Sequence, residues 1–172
     1  MIHHQPTTTF AAAVYNSSTT DRKALLKFVV KQKALKLRVG GLLQEAFFDA
    51  EGKVAGLNAV DVSTDRRIPI TRLVKNDDDC AFDVSALTET SGILRSAISD
   101  QLDLVVIEKF GELEQNGKGL IDEILQTIAE GIPLLITVPE AALPVWQERS
   151  GGLGTVVSFT EDAFEAWWQS LR

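Results

Sequence analysis

Apolar and polar positions along this chain fall into blocks whose period changes, and the changes mark out strands and helices. Thr9 to Tyr15 is apolar and β-prone, Asn16 to Asp21 is polar and turn-rich, and Arg22 to Gln32 carries Leu25, Leu26, Val29 and Val30 at helical spacing. That order predicts strand, loop and helix, with Asp21 as an N-cap whose carboxylate accepts from first-turn amides. Leu35 to Phe48 and Lys53 to Asp61 are β-prone runs flanking Asp49-Ala50-Glu51-Gly52, which suits a hairpin turn. A short third strand near Arg67 to Thr71 extends the hairpin into an antiparallel meander. Pro69 is expected on its edge, because proline has no amide to give a ladder.

After the acidic stretch Asp77-Asp78-Asp79, Ser85 to Gln101 places Leu87, Leu94 and Ile98 on one helical face, and the apolar run from Leu104 follows as a strand. Leu120 to Glu130 repeats the helical pattern through Ile121, Ile124, Leu125 and Ile128, stops at Gly131, and yields to a strand at Pro133 to Val138. Thr155 to Phe159 reads as the last strand. A closing helix from Glu161 to Leu171 sets Phe164, Trp167, Trp168 and Leu171 at three-and-four spacing, so the tryptophans are expected to seal the sheet. Strands alternating with helices predict an α/β fold with a mostly parallel sheet flanked by helices and an inserted antiparallel hairpin or meander.

Composition narrows the function classes. With 172 residues, 45% hydrophobic and 24% charged, the chain has the make-up of an ordinary globular domain. The reading is a flexible tail over residues 1–8 and a single domain over 9–172. No apolar run approaches the ~20 residues that cross a bilayer, so no membrane is expected. The polar N-terminus lacks the regions of a secretory signal, which points to the cytoplasm. A net charge of −7 argues against nucleic acid as a partner. The single cysteine, Cys80, excludes an internal disulfide, and the only histidines, His3 and His4, lie in the tail. That distribution counts against a zinc site and against a Ser-His-Asp hydrolase. Without a nearby histidine, Cys80 reads as a packing residue before a nucleophile.

The segment Asp103-Leu-Val-Val-Ile-Glu-Lys-Phe-Gly-Glu-Leu-Glu114 has the form of a Walker B strand, in which a buried apolar run delivers a carboxylate to the mouth of a nucleotide site. Here the acid is Glu108, and Lys109 stands where a water-orienting carboxylate would be. Together with the strand at Phe10 and the meander around Gly40-Gly41, this resembles the thermophilic type of P-loop nucleoside-triphosphatases. More closely, Asp103 through Gly119 to Pro139, Glu140 and Trp146 resembles a bacterial family, the domain of unknown function 2478. That family carries Lys or Arg before Phe-Gly where the phosphatases carry Glu, and Asp-Cys80-Ala-Phe-Asp resembles its Cys-Arg-Leu-Asp element. The resemblance implies a P-loop-NTPase-like fold with degenerate Walker motifs, and molybdate as one oxyanion to consider.

The phosphatase-type relatives follow the first strand with a Gly-rich loop ending in Gly-Lys-Thr. Glycines there let successive amides turn inward around a phosphate. This chain has Asn16-Ser17-Ser18-Thr19-Thr20-Asp21-Arg22-Lys23, without a glycine. Arg22 or Lys23 would stand in for the lysine and Thr19 or Thr20 for the hydroxyl, but the cradle needs another backbone path. A second anion candidate is the mouth formed by Lys109, Gly111 and Asn116-Gly117-Lys118-Gly119, beyond a strand's carboxyl end and before a helix. Against it stands a plain turn with solvated lysines. Glu108 either holds Mg²⁺ through water, if a nucleotide is bound, or pairs with Arg22, Lys23 or Lys109. Asp77 to Asp79 with Asp83 read as a solvated loop rather than a calcium site. The expected function is weak or regulatory binding of a nucleotide or small oxyanion without efficient hydrolysis. An active nucleoside-triphosphatase or nucleotide kinase with a rebuilt site, and a non-catalytic scaffold, are the alternatives. A homo-oligomer is compatible with all three.

Overall fold

The computed structural model describes residues 8–73, 80–82 and 84–172. Its strands are β1 (Phe10–Tyr15), β2 (Val39–Phe48), β3 (Val54–Asp61), β4 (Arg67–Leu73), β5 (Cys80–Phe82), β6 (Leu104–Ile107), β7 (Leu134–Pro139) and β8 (Thr155–Ser158). The helices are α1 (Lys23–Ala34), α2 (Val84–Ser99), α3 (Glu112–Gln115), α4 (Ile121–Ala129), α5 (Leu143–Arg149) and α6 (Glu161–Ser170), with a 3-10 turn at Glu140–Ala142. Among the described residues one eight-stranded sheet runs β5-β4-β3-β2-β6-β7-β1-β8. The strands from β2 to β8 in that order are parallel, and β3, β4 and β5 continue the sheet antiparallel beyond β2.

The parallel centre exists because its strands are apolar on both faces. Ala11, Ala12, Ala13, Leu104, Val105, Val106, Leu134, Leu135 and Ile136 are fully buried, as a strand covered on both sides requires. One face packs Leu94, Ile98, Ile124 and Trp146 from α2, α4 and α5. The other packs Leu25, Phe28, Phe164, Trp167 and Trp168 from α1 and α6. Gly41 has φ +115°, and a Cβ there would fall on the Val106 carbonyl, so the β2–β6 pairing requires glycine.

The predicted α/β architecture, its mostly parallel sheet and its antiparallel insertion are all present. The hairpin turns at 49–52, although β2 begins at Val39 rather than Leu35: α1 runs on to Ala34, and Lys36 takes a left-handed φ of 67°. The short helices α3 and α5 and strand β5 had no prediction. Pro69 is not on the outermost strand, since β5 flanks β4. It avoids the ladder differently, because β5 pairs only with residues 71–73 and β3 bulges between Leu57 and Asn58 opposite it. Asp77, Asp78, Asp79 and Asp83 lie outside the described residues, as do the surroundings of the Cys80 side chain.

Candidate carboxyl-edge site

The chain passes from β1 through α1 to β2, leaving room for β6 and β7 between them. The carboxyl ends of β1, β7 and β6 therefore sit side by side, and they bring together Tyr15, Pro139, Glu108 and Lys109. Crevices at this edge are where open α/β sheets bind ligands. Glu108 is half-buried, and its Oε1 accepts from the Gln44 amide at 3.3 Å. Burial pushes its carboxyl above the usual carboxylate range, against the smaller opposing pull of Arg22, the Gln44 N–H and Lys109. Burial likewise raises the Tyr15 phenol, which the Arg22 guanidinium approaches at 5.6 Å from the ring centroid. The Glu108–Lys109 peptide bond is cis.

The expected ion pair of Glu108 has no direct counterpart. Among the described residues it makes no salt bridge within 4 Å with Arg22, Lys23 or Lys109. No group of three or more His, Cys, Asp or Glu side chains is placed there to hold a metal ion either.

The loop after β1 folds onto its own side chains. Asn16 Oδ1 accepts from the Ser18 amide at 3.0 Å and its hydroxyl at 2.7 Å, and the Thr20 hydroxyl accepts from the Asn16 amide at 2.9 Å. The amides of Thr19 and Thr20 both donate to the Asn16 carbonyl. Asp21 accepts from the Lys23 amide at 3.0 Å, so the predicted carboxylate does cap α1, one residue before the Arg22 N-cap. The positive end of the helix is thus met by an internal anion. Thr19 and Thr20 serve the turn, while Arg22 and Lys23 project into a cleft.

A second internal carboxylate organises the segment from Lys109 to Gly119. Glu114, only 9% exposed, accepts from the Gly111 amide at 3.1 Å and the Leu120 amide at 3.0 Å, one through each oxygen. It is the third residue of α3, where a glutamate can reach back to the cap amide. Gly117 and Gly119 have φ of 76° and 60° and pass the chain around this carboxylate, and a Cβ on Gly119 would fall on Glu114 Oε2. Asn116 donates its side-chain amide to the Glu112 carbonyl at 2.8 Å. The amides of Gly111, Asn116, Gly117, Lys118 and Leu120 are bonded within the chain, which leaves Lys109 and Lys118 as the cations of this turn.

Three clefts open along this edge. One of about 370 Å³ lies between α1 and the meander, with Arg22, Lys23, Leu26, Gln44, Arg67 and Glu108 in its wall. Arg67 there is held in a fork by Glu45, at 2.7 and 3.1 Å. A cleft of about 510 Å³ has Lys109, Gly111, Asn116 and Lys118 along it. A third, also about 510 Å³, runs from Tyr15, Asn16 and Ser17 past Lys109 to Glu140, whose carboxylate accepts from Asn16 Nδ2 at 3.2 Å. Lys109 borders both larger clefts. Among the described residues no salt bridge engages Arg22, Lys23, Lys109 or Lys118. Sequence reasoning missed Gln44, Tyr15 and Glu140, which reach the edge only through sheet order. It also missed Glu114, for which the spacing from Gly111 was a usable signal.

A segment of 133 residues, 77% of this chain, is 38% identical to the molybdenum import ATP-binding protein ModC 2 of Bradyrhizobium diazoefficiens. The match spans 15% of that protein's length. No solved structure matches. No helix among the described residues is long and apolar enough to cross a membrane. As the resemblance over Asp103 to Pro139 implied, residues 10–167 match the family described as "Protein of unknown function (DUF2478)", and the chain belongs to that family.

Proposed function

We propose that this protein binds a nucleotide or small oxyanion at the carboxyl edge of its sheet and does not hydrolyse it efficiently. The observation that carries this reading is that Arg22 and Lys109 both lie near enough to Glu108 to act on its carboxyl, each bordering a cleft and neither in a salt bridge among the described residues. Cations left in that state at a strand-end crevice favour an anionic ligand. Efficient phosphoryl transfer needs preorganised donors around the transferred group and an oriented nucleophile. Here the loop's side chains and Asp21 engage its own amides, and Lys109 follows Glu108 in place of a second acid. Side chains, not a backbone cradle, hold the ligand. If a nucleotide binds with Mg²⁺, Glu108 is the carboxylate that would hold the ion through water.

The name of the relative makes ATP and molybdate the first probes, alongside phosphate and sulfate. A ligand of the native state raises the melting temperature by mass action. Molybdate or ATP is expected to do so, and Arg22→Ala and Lys109→Ala to abolish the rise while each variant stays folded. Release of phosphate from ATP or GTP at enzymatic rates with Mg²⁺, lost in Glu108→Gln, would refute the non-hydrolytic half. Absence of any stabilisation by the four anions would refute the binding half.

A further inference from the structure

The outward face of α1 carries two parallel ridges. Leu26, Val30 and Ala34 succeed one another at four-residue spacing, and Lys23, Lys27 and Lys31 do the same beside them. All six are exposed, with Leu26 at 53% and Val30 at 57%. The helix is held to the sheet by its opposite face, through Leu25, Phe28, Val29 and Gln32, so the ridges contribute nothing to the core.

The charge of this face departs from that of the molecule. Seven of the 17 Lys and Arg fall between Arg22 and Arg38, no Asp or Glu falls among them, and all 24 acids of a chain with net charge −7 lie elsewhere. Of the three ridge lysines only Lys31 has a salt-bridge partner among the described residues, Glu165 at 3.3 Å.

We propose that this face docks an acidic amphipathic helix of a partner protein. The partner's apolar ridge seats against Leu26, Val30 and Ala34, in the packing of four-residue ridges between helices, and its carboxylates meet Lys23, Lys27 and Lys31. A symmetric contact with a second copy would set lysine against lysine. An anionic bilayer would be repelled by the acidic remainder of the surface, and two large apolar side chains offer little to insert. Lys23 and Leu26 also border the cleft between α1 and the meander, whereas Lys27, Val30 and Lys31 border none of the anion clefts, so variants at these three test the surface apart from the ligand reading.

The probe is a synthetic fluorescent helical peptide of about 18 residues, five turns, with leucines along one ridge and glutamates along the next. It is titrated against the full chain beside a copy carrying lysine for each glutamate. The glutamate peptide is expected to bind, more weakly as salt rises, and the lysine peptide not to bind. Lys27→Glu with Lys31→Glu is expected to cut the affinity about tenfold or more, and Lys27→Gln with Lys31→Gln about threefold, as loss of exposed ion pairs implies. Val30→Asn is expected to weaken binding without changing its salt dependence, each variant melting as the parent does. Failure of the glutamate peptide to bind, equal binding of both peptides, or affinity unchanged by the charge reversals would overturn the proposal. So would lysine-dependent binding to phosphatidylserine vesicles without binding to the peptide.

Discussion

Replacing Glu114 with alanine isolates the internal carboxylate that organises the Lys109 to Gly119 segment. Its two oxygens accept from the Gly111 and Leu120 amides at 3.1 and 3.0 Å, and the side chain is almost wholly removed from water. A hydrogen bond to a charged group contributes about 1.5 kcal/mol net at the low end. Two such bonds amount to about 3 kcal/mol, and the substitution also leaves two amides without an acceptor. For a protein of 172 residues that loss corresponds to a fall in melting temperature of about 6–12 °C. Glu114→Gln, which keeps one acceptor and turns an NH₂ towards the second amide, is expected to lose about 2 kcal/mol. Gly119→Ala drives a methyl into the same carboxylate from a left-handed backbone. Once Glu114 is gone that clash disappears, and Gly119→Ala should then cost the backbone term of about 1–2 kcal/mol and a close contact with the Leu113 Cβ at 3.0 Å. Urea denaturation of the two single variants and the double variant measures this coupling. A Glu114→Ala variant within about 0.5 kcal/mol of the parent, or strict additivity with Gly119→Ala, would refute the assignment.

Two further perturbations probe the same edge and its support. Burial raises the Glu108 carboxyl, so the folded state favours its proton, and the stability this gives is complete below the unfolded value of about 4.3 and lost as pH rises through the raised one. The melting temperature of Glu108→Gln relative to the parent should therefore rise between pH 4 and pH 8, and a relative fall would mean that Arg22 and Lys109 dominate over burial. Trp146 is 2% exposed and meets Phe10 and Phe110 edge to face at 6.1 and 5.3 Å between ring centroids. Trp146→Ala is expected to cost about 3–5 kcal/mol in urea denaturation, and a cost below about 1 kcal/mol would mean α5 is no part of the core.

The fold was legible wherever a residue's environment is set by its own stretch of chain. Leu104 to Ile107 and Leu134 to Val138 announce buried strands, and Phe164 with Trp167 and Trp168 announces the closing helix, because each pattern repeats at the period of its element. α5 escaped notice because Trp146 is its one buried residue and no apolar stripe forms. Within the site, sequence supplied Glu108, Lys109, Arg22 and Lys23, all next to recognisable element ends. It did not supply the use each polar group makes of the backbone. A glycine-flanked turn reads as an anion cradle until Glu114 is seen between its amides, and the distinction rests on a side-chain rotamer. Gln44 meets Glu108 only because β2 lies beside β6, a neighbour 64 positions away in sequence.

The order of the sheet also governs when it can form. β1, the first strand made, pairs only with β7 and β8, so both its edges stay bare until residues 134–158 exist. Before then the chain can complete the antiparallel meander from β2 to β5 and add β6 beside β2, but nothing that covers β1. Pairings of such long sequence separation are slow to close. The early exposed ladder on Ala11 to Ala13 is then a point of vulnerability during synthesis, and pulse-labelled hydrogen exchange should find the amides of β1 protected after those of β2 and β3.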